Sequence, residues 1–161
     1  MRVKVDGAVR GFTWALACAG LVLLPAALLL DRGWLAHPWG AVALALAVFA
    51  LRAAPIQLSK YSYLTQTGVP VLIGAVLLGP GAVSLGLVTG VFLADWALLR
   101  KQWFFSWINA GREIAGFLAA FGMYAFVRHL TGADRLSLDF LPAAITLAIG
   151  YFFAGRALFY G

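Results

Sequence analysis

The sequence predicts an all-α integral membrane bundle of about six transmembrane helices. Of its 161 residues, 63% are hydrophobic and 11% charged, where soluble domains carry about 25% charged residues. Apolar runs of about 20 residues, the length that crosses a bilayer, recur between short polar joints. A mean hydropathy of +0.93 extends the apolar character over the whole chain. One transmembrane domain, residues 1–161, fills this length, and no stretch is left for a separate soluble domain of useful size.

The elements follow in order. Residues 1–10 form a short basic tail, with Arg2, Lys4 and Arg10 against Asp6. Gly11 to Leu30 is the first crossing, kinked late by Pro25. Asp31 to His37 is a turn, with Trp34 and Trp39 at interfacial depth. Pro38 to Ala54 is the second crossing; Pro38 suits a helix start, and Arg52 is near enough to the far end to snorkel. Pro55 to Gly68 breaks the pattern with hydroxyls and aromatics. Leu58, Lys60 and Ser62 alternate with Ser59, Tyr61 and Tyr63, a hint of extended structure. Too polar for a buried helix and too apolar for a free loop, this stretch predicts an amphipathic or re-entrant segment near 55–68, backed by protein or a wet cavity.

Gly68 to Gly79 is too short to span alone, so it is a half-helix or borrows from the preceding segment; Gly79-Pro80-Gly81 is a tight turn. Gly81 to Leu99 is the next crossing, and Gly86, Gly90 and Ala94 make a small-residue ridge for close helix packing, joined by Gly116 on the following helix. Trp103 to Leu130 holds the central helix, Thr131 to Asp139 a polar loop, and Phe140 to Tyr160 the last crossing.

Charge orients the bundle. Six crossings with the N-terminus inside place Arg2, Lys4, Arg10, Arg52, Lys60, Arg100, Lys101 and Arg156 on the cytoplasmic side, eight of the twelve basic residues. Both termini are then cytoplasmic. The net charge of +6 contains no basic block, so no nucleic-acid partner is expected; membrane lipids are the partner these charges suit. The single cysteine, Cys18, excludes an intrachain disulfide.

Chemistry concentrates in two places. Asn109, Arg112, Glu113, Gly116 and Ala120 share one face of the central helix. A charge at such depth costs about 2.5–3.5 kcal/mol on insertion scales, so this face lines the bundle interior. Asp95, on the preceding antiparallel helix, is placed to form an intramembrane ion pair with Arg112. Gln57, Ser59, Tyr61 and Tyr63 offer donors, acceptors and stacking faces; with Asn109, Arg112 and Glu113 they outline a ligand pocket. The structural alternatives are a bundle-stabilising pair and an interfacial stretch with tyrosines at headgroup level. His37 and His129 lie far apart with no ligand cluster, so no metal is expected. No nucleophile–base arrangement or phosphate loop is present, so these residues predict neither an enzyme nor a cofactor.

An amphipathic stretch, then Leu77-Leu78-Gly79-Pro80-Gly81-Ala82, then a helix with an internal acid, the basic loop Leu99 to Trp103 and Trp107-Ile-Asn-Ala-Gly-Arg112 follow one another. This order resembles the N-terminal multi-pass sensor region of bacterial signalling proteins with HD-GYP or GGDEF output domains, where an LLFGP-like turn and an FNAAQ-like helix start recur. The architecture is also similar to the substrate-binding component of energy-coupling-factor transporters. The resemblance spans roughly residues 38–160. It implies a sensory or ligand-binding input module in a bacterial inner membrane, coupled to a cytoplasmic cyclic di-GMP output domain. The alternatives are the capture component of a vitamin-type transporter and a plain membrane anchor that dimerises. The ligand implied is small, hydrophobic or vitamin-like, and a homodimer is compatible. The ending Arg156-Ala-Leu-Phe-Tyr-Gly161 has no polar tail, which predicts a boundary inside a longer chain.

Overall fold

The first helix, α1 (Gly7–Leu30), is followed by one turn, α2 (Gly33–Ala36), and by α3 (Pro38–Ala53). Two short strands, β1 (Ile56–Ser59) and β2 (Ser62–Leu64), lead into α4 (Gly68–Leu77). Helix α5 (Pro80–Leu93) runs on into a π turn, Ala94–Leu98, and α6 (Trp103–Thr131) and α7 (Leu141–Tyr160) complete the chain. This computed structural model describes residues 7–54, 56–59, 62–64, 66–132 and 140–160, with backbone alone for 8–9, 56–59, 62–64, 155–156 and 159–160.

Three helices are long and apolar enough to cross a membrane: Arg10–Leu30, Pro80–Leu98 and Trp103–Thr131. Pro38–Ala53, Gly68–Leu77 and Leu141–Ala154 are shorter apolar helices. The ten residues of α4 rise about 15 Å, half of a hydrocarbon core of about 30 Å. Helix α4 is too short to span alone, as its length predicts, and Gly79 at φ 87° turns the chain back at once. The alternating stretch before it is extended: β1 and β2 pair antiparallel, Ile56 opposite Leu64 and Gln57 opposite Tyr63, with an irregularity before the Ser59–Ser62 pair.

Helix α5 is the axis of the bundle. It is apolar on every side, and nine of its fourteen residues are buried, as expected of a helix with no polar stripe. Its ridge packs on α3: a Cβ at Gly86 would stand 2.5 Å from Leu44 Cδ2, and one at Gly90 2.6 Å from the Ala45 carbonyl. Ala94 continues that buried line. Helix α6 packs on α5 and α7 through Ile114, Phe117 and Ala120, all fully buried, and Gly116 is buried on the same helix. Helix α1 lies against α6, where Gly20 meets Gly111.

The outside of the molecule is apolar. Leu21 (63% exposed), Leu46 (63%), Phe126 (64%) and Phe153 (64%) stand out from α1, α3, α6 and α7. Asp31, His37, Leu78 and Arg128 gather at one end of the bundle. Arg52, Asp95 and Lys101 gather at the other, hereafter the Lys101 end.

Candidate functional site

The Lys101 end holds a network of buried charge. Its centre, Asp95, is fully buried. The Ala94 N–H is shared between the carbonyls of Gly90 and Val91, and there the coil widens into the π turn. Leu99 N–H then bonds the Ala94 carbonyl at 3.0 Å and Lys101 N–H the Asp95 carbonyl at 2.9 Å. Arg100 closes the turn at φ 50°, a left-handed conformation rare outside glycine. A π turn of this kind re-aims a side chain and recurs at functional sites.

Arg52, in the last turn of α3, forks onto this carboxylate. Its Nε donates to Oδ1 at 2.8 Å and its Nη2 to Oδ2 at 3.0 Å, the bidentate geometry that makes Arg–carboxylate bonds strong. Oδ2 also accepts from Asn109 Nδ2 and lies 3.1 Å from Lys101 Nζ. The remaining Arg52 nitrogen, Nη1, reaches Glu113 Oε1 at 3.5 Å, and Arg112 Nη2 reaches the same oxygen at 3.3 Å. Tyr151 of α7 donates its hydroxyl to Glu113 Oε2 at 3.1 Å. Three cations (Lys101, Arg52, Arg112) and two carboxylates (Asp95, Glu113) thus link α3, the π turn, α6 and α7.

The pair expected between Asp95 and Arg112 is corrected: Arg52 occupies that place, and Arg112 lies with Glu113. The reason is packing. The glycine ridge lays α5 on α3, so the last turn of α3 meets Asp95 directly. Arg52 is 7% exposed and does not snorkel outward. Asn109 enters the network as a donor to Asp95, and Glu113 as the acceptor that bridges Arg52, Arg112 and Tyr151. The side chains of Gln57, Ser59 and Tyr63, and all of Tyr61, lie outside the described residues, so the pocket drawn through them has no described wall on that side. Sequence reasoning missed Arg52, Lys101 and Tyr151 as members. The available signal for Arg52 was a lone cation on an otherwise apolar sixteen-residue helix.

A concavity of about 310 Å³ opens at the opposite end, lined by Asp31, His37, Gly79, Phe121, Tyr124 and Arg128 among others. Asp31 builds its rim. Oδ1 accepts from Gly33 N–H at 2.9 Å and Oδ2 from Gly81 N–H at 2.8 Å, so one carboxylate ties the end of α1 to the start of α5. This satisfies a first-turn N–H that α5 could not pair itself. The two ends are joined by α4 and α5. Helix α5 runs from Gly81 at Asp31 to the turn that carries Asp95. Helix α4 ends at the concavity with Leu77, and a Cβ at its first residue, Gly68, would stand 3.6 Å from the Tyr151 ring.

No group of three or more His, Cys, Asp or Glu that could hold a metal occurs among the described residues. No protein-family model, curated protein or solved structure matches this chain.

Proposed function

We propose that the chain is a multi-pass input module of a bacterial inner membrane, which binds a small ligand at the Asp31 end and relays the change to its cytoplasmic side. The membrane reading is supported by the three long apolar helices and by the large apolar side chains on the outside of the bundle; water-facing surfaces rarely carry contiguous patches beyond a few hundred Å². Six crossings are counted as α1, α3, the ribbon with half-helix α4, α5, α6 and α7. Both termini then lie at the Lys101 end, on the cytoplasmic side.

One observation carries the relay. Helices α4 and α5 each reach from the concavity to the charge network. A ligand that contacts Arg128 and the Gly79 turn bears on the far ends of the two elements that meet Asp95 and Tyr151. It shifts the bundle only as far as its affinities for two arrangements differ. The proposed second arrangement is one in which Asp95 keeps Lys101 and releases Arg52, both of which it now contacts. The resemblance to signalling input regions supports a cytoplasmic cyclic di-GMP output as the receiver.

The test is mass spectrometry of small molecules retained through purification in mild detergent, with wild type beside Arg128→Ala and Arg112→Ala. One compound retained by wild type and Arg112→Ala and lost from Arg128→Ala supports the reading, and its identity separates a signal from a transported vitamin. Loss from Arg112→Ala alone moves the ligand to the network. Bulk lipid alone in wild type counts for a plain anchor.

A further inference from the structure

We propose that a groove between α1 and α6 holds one anionic phospholipid, with an acyl chain along its aromatic wall and the phosphate at the Lys101 end. The inference rests on the membrane reading above and is independent of the ligand proposed for the Asp31 end. The groove measures about 450 Å³ and is lined by Trp14, Cys18, Leu21, Trp103, Phe104 and Trp107. Its lining presents no polar surface. Helices α1 and α6 approach closely where Gly20 meets Gly111, and the groove lies on the Lys101 side of that contact. Trp107 is fixed at the narrow part by donating Nε1–H to the Ala17 carbonyl at 3.0 Å, and Trp14 packs on Phe104 with ring centroids 5.1 Å apart.

Two exposed arginines lie in sequence just beyond the residues that line this groove. Arg10 is exposed and precedes Trp14 by four residues, which puts it on the same face of α1, about 6 Å nearer the helix end. Arg100 is exposed and precedes Trp103 by three residues, with Lys101 between them. The first turn of the 29-residue helix α6 adds the positive end of its dipole. Asp95, in the adjoining π turn, is buried and already paired with Arg52 and Lys101. An apolar slot below a cluster of cations fits a chain bearing a phosphodiester and rejects a free polar anion, which would leave the slot empty.

The backbone adds a second sign. Arg100 occupies the left-handed position that ends the π turn, where glycine or asparagine is the common residue. A glycine would fit that position better, so the arginine sits there against a local backbone preference. The same fact gives a clean test, because Arg100→Gly removes a charge and relieves the backbone together.

Delipidated protein in mild detergent is titrated with phosphatidylglycerol or with phosphatidylcholine of the same acyl chains, and native mass spectrometry counts the lipids bound. Wild type is expected to take one phosphatidylglycerol about tenfold more tightly than phosphatidylcholine. The variant Arg10→Gln with Arg100→Gly is expected to lose that preference while melting no lower than wild type. Trp103→Ala is expected to weaken both lipids. Equal binding of the two lipids by wild type, or an unchanged preference in the double variant, overturns the site. A chain that stays monodisperse without detergent overturns the membrane reading itself, an outcome distinct from the first two.

Discussion

Replacing Arg52 with methionine tests whether the network holds the bundle as its geometry implies. The change keeps most of the side-chain volume and removes the fork that satisfies both oxygens of Asp95. Removing one partner of a buried pair costs about 3–5 kcal/mol, because the other charge stays buried without compensation. Here Lys101 Nζ remains 3.1 Å away and Asn109 still donates, so the low end of that range, about 3 kcal/mol, is expected. The lysine is 39% exposed and shares its charge with solvent, which keeps the loss from vanishing. The assay is reversible unfolding in mixed micelles of rising SDS fraction, followed by tryptophan fluorescence. Arg52→Met with Asp95→Leu should recover most of the loss, since exchanging a whole buried pair for apolar groups is often neutral or stabilising by about 1–4 kcal/mol. A single-variant loss under about 1 kcal/mol, or a double variant as unstable as the two singles summed, refutes the reasoning.

The same unfolding assay checks three further expectations. Gly90→Val should destabilise by at least about 2 kcal/mol, because its Cβ meets the Ala45 carbonyl and Val48, whereas Gly122→Ala, with open space around it, should be neutral or gain about 0.5–1 kcal/mol; the ridge is not the α3–α5 contact if the two behave alike. Asp31→Ala should cost about 1–2 kcal/mol through the lost cap on Gly81 and the lost turn at Gly33, and an unchanged midpoint would contradict that role. Ser84 Oγ is buried without a hydrogen-bond partner among the described residues, so Ser84→Ala should be neutral or stabilising by about 1 kcal/mol, and a clear loss would mean that the hydroxyl is bonded.

Much of this architecture was legible in the residues. The apolar runs mark helices, Gly79-Pro80-Gly81 marks the return after a ten-residue half-helix, and the alternation at 56–64 marks the ribbon. These signals are local, carried by periodicity and by glycine and proline. The partners of the buried charges were not legible. Gly86 and Gly90 announce a close neighbour for α5 without naming it, and only the choice of α3 brings Arg52 to Asp95 across 43 residues. Asp31 read as a turn charge, yet its carboxylate caps a helix 50 residues away. An arginine near a helix end is equally compatible with snorkelling and with burial, and the decision lies in the neighbour's surface.

A buried ion pair adds little net stability, because desolvation offsets its attraction, so the network needs a reason beyond holding α3 to α5. The small-residue ridge suggests one. The ridge offers α3 no side chain of its own to catch on, only the notches that Leu44 and Val48 enter. Helix α5 is pinned lengthwise at its two ends instead, by the Asp31 clamp at Gly81 and by the Arg52 fork at Asp95. Fourteen residues separate the pins, about 21 Å along the helix. Substitutions that far apart usually add within about 0.3–0.5 kcal/mol. If α5 moves as one rod between its pins, Asp31→Ala and Arg52→Met will not add. Freeing one end lets the helix slide and slackens the other, so the second substitution removes less than it does alone, with a shortfall above about 0.5 kcal/mol. A double-variant cycle in the SDS titration measures that shortfall directly. Strict additivity would mean that α5 is held along its length by the α3 contact, and that a ligand at the Asp31 end has no mechanical route to Asp95.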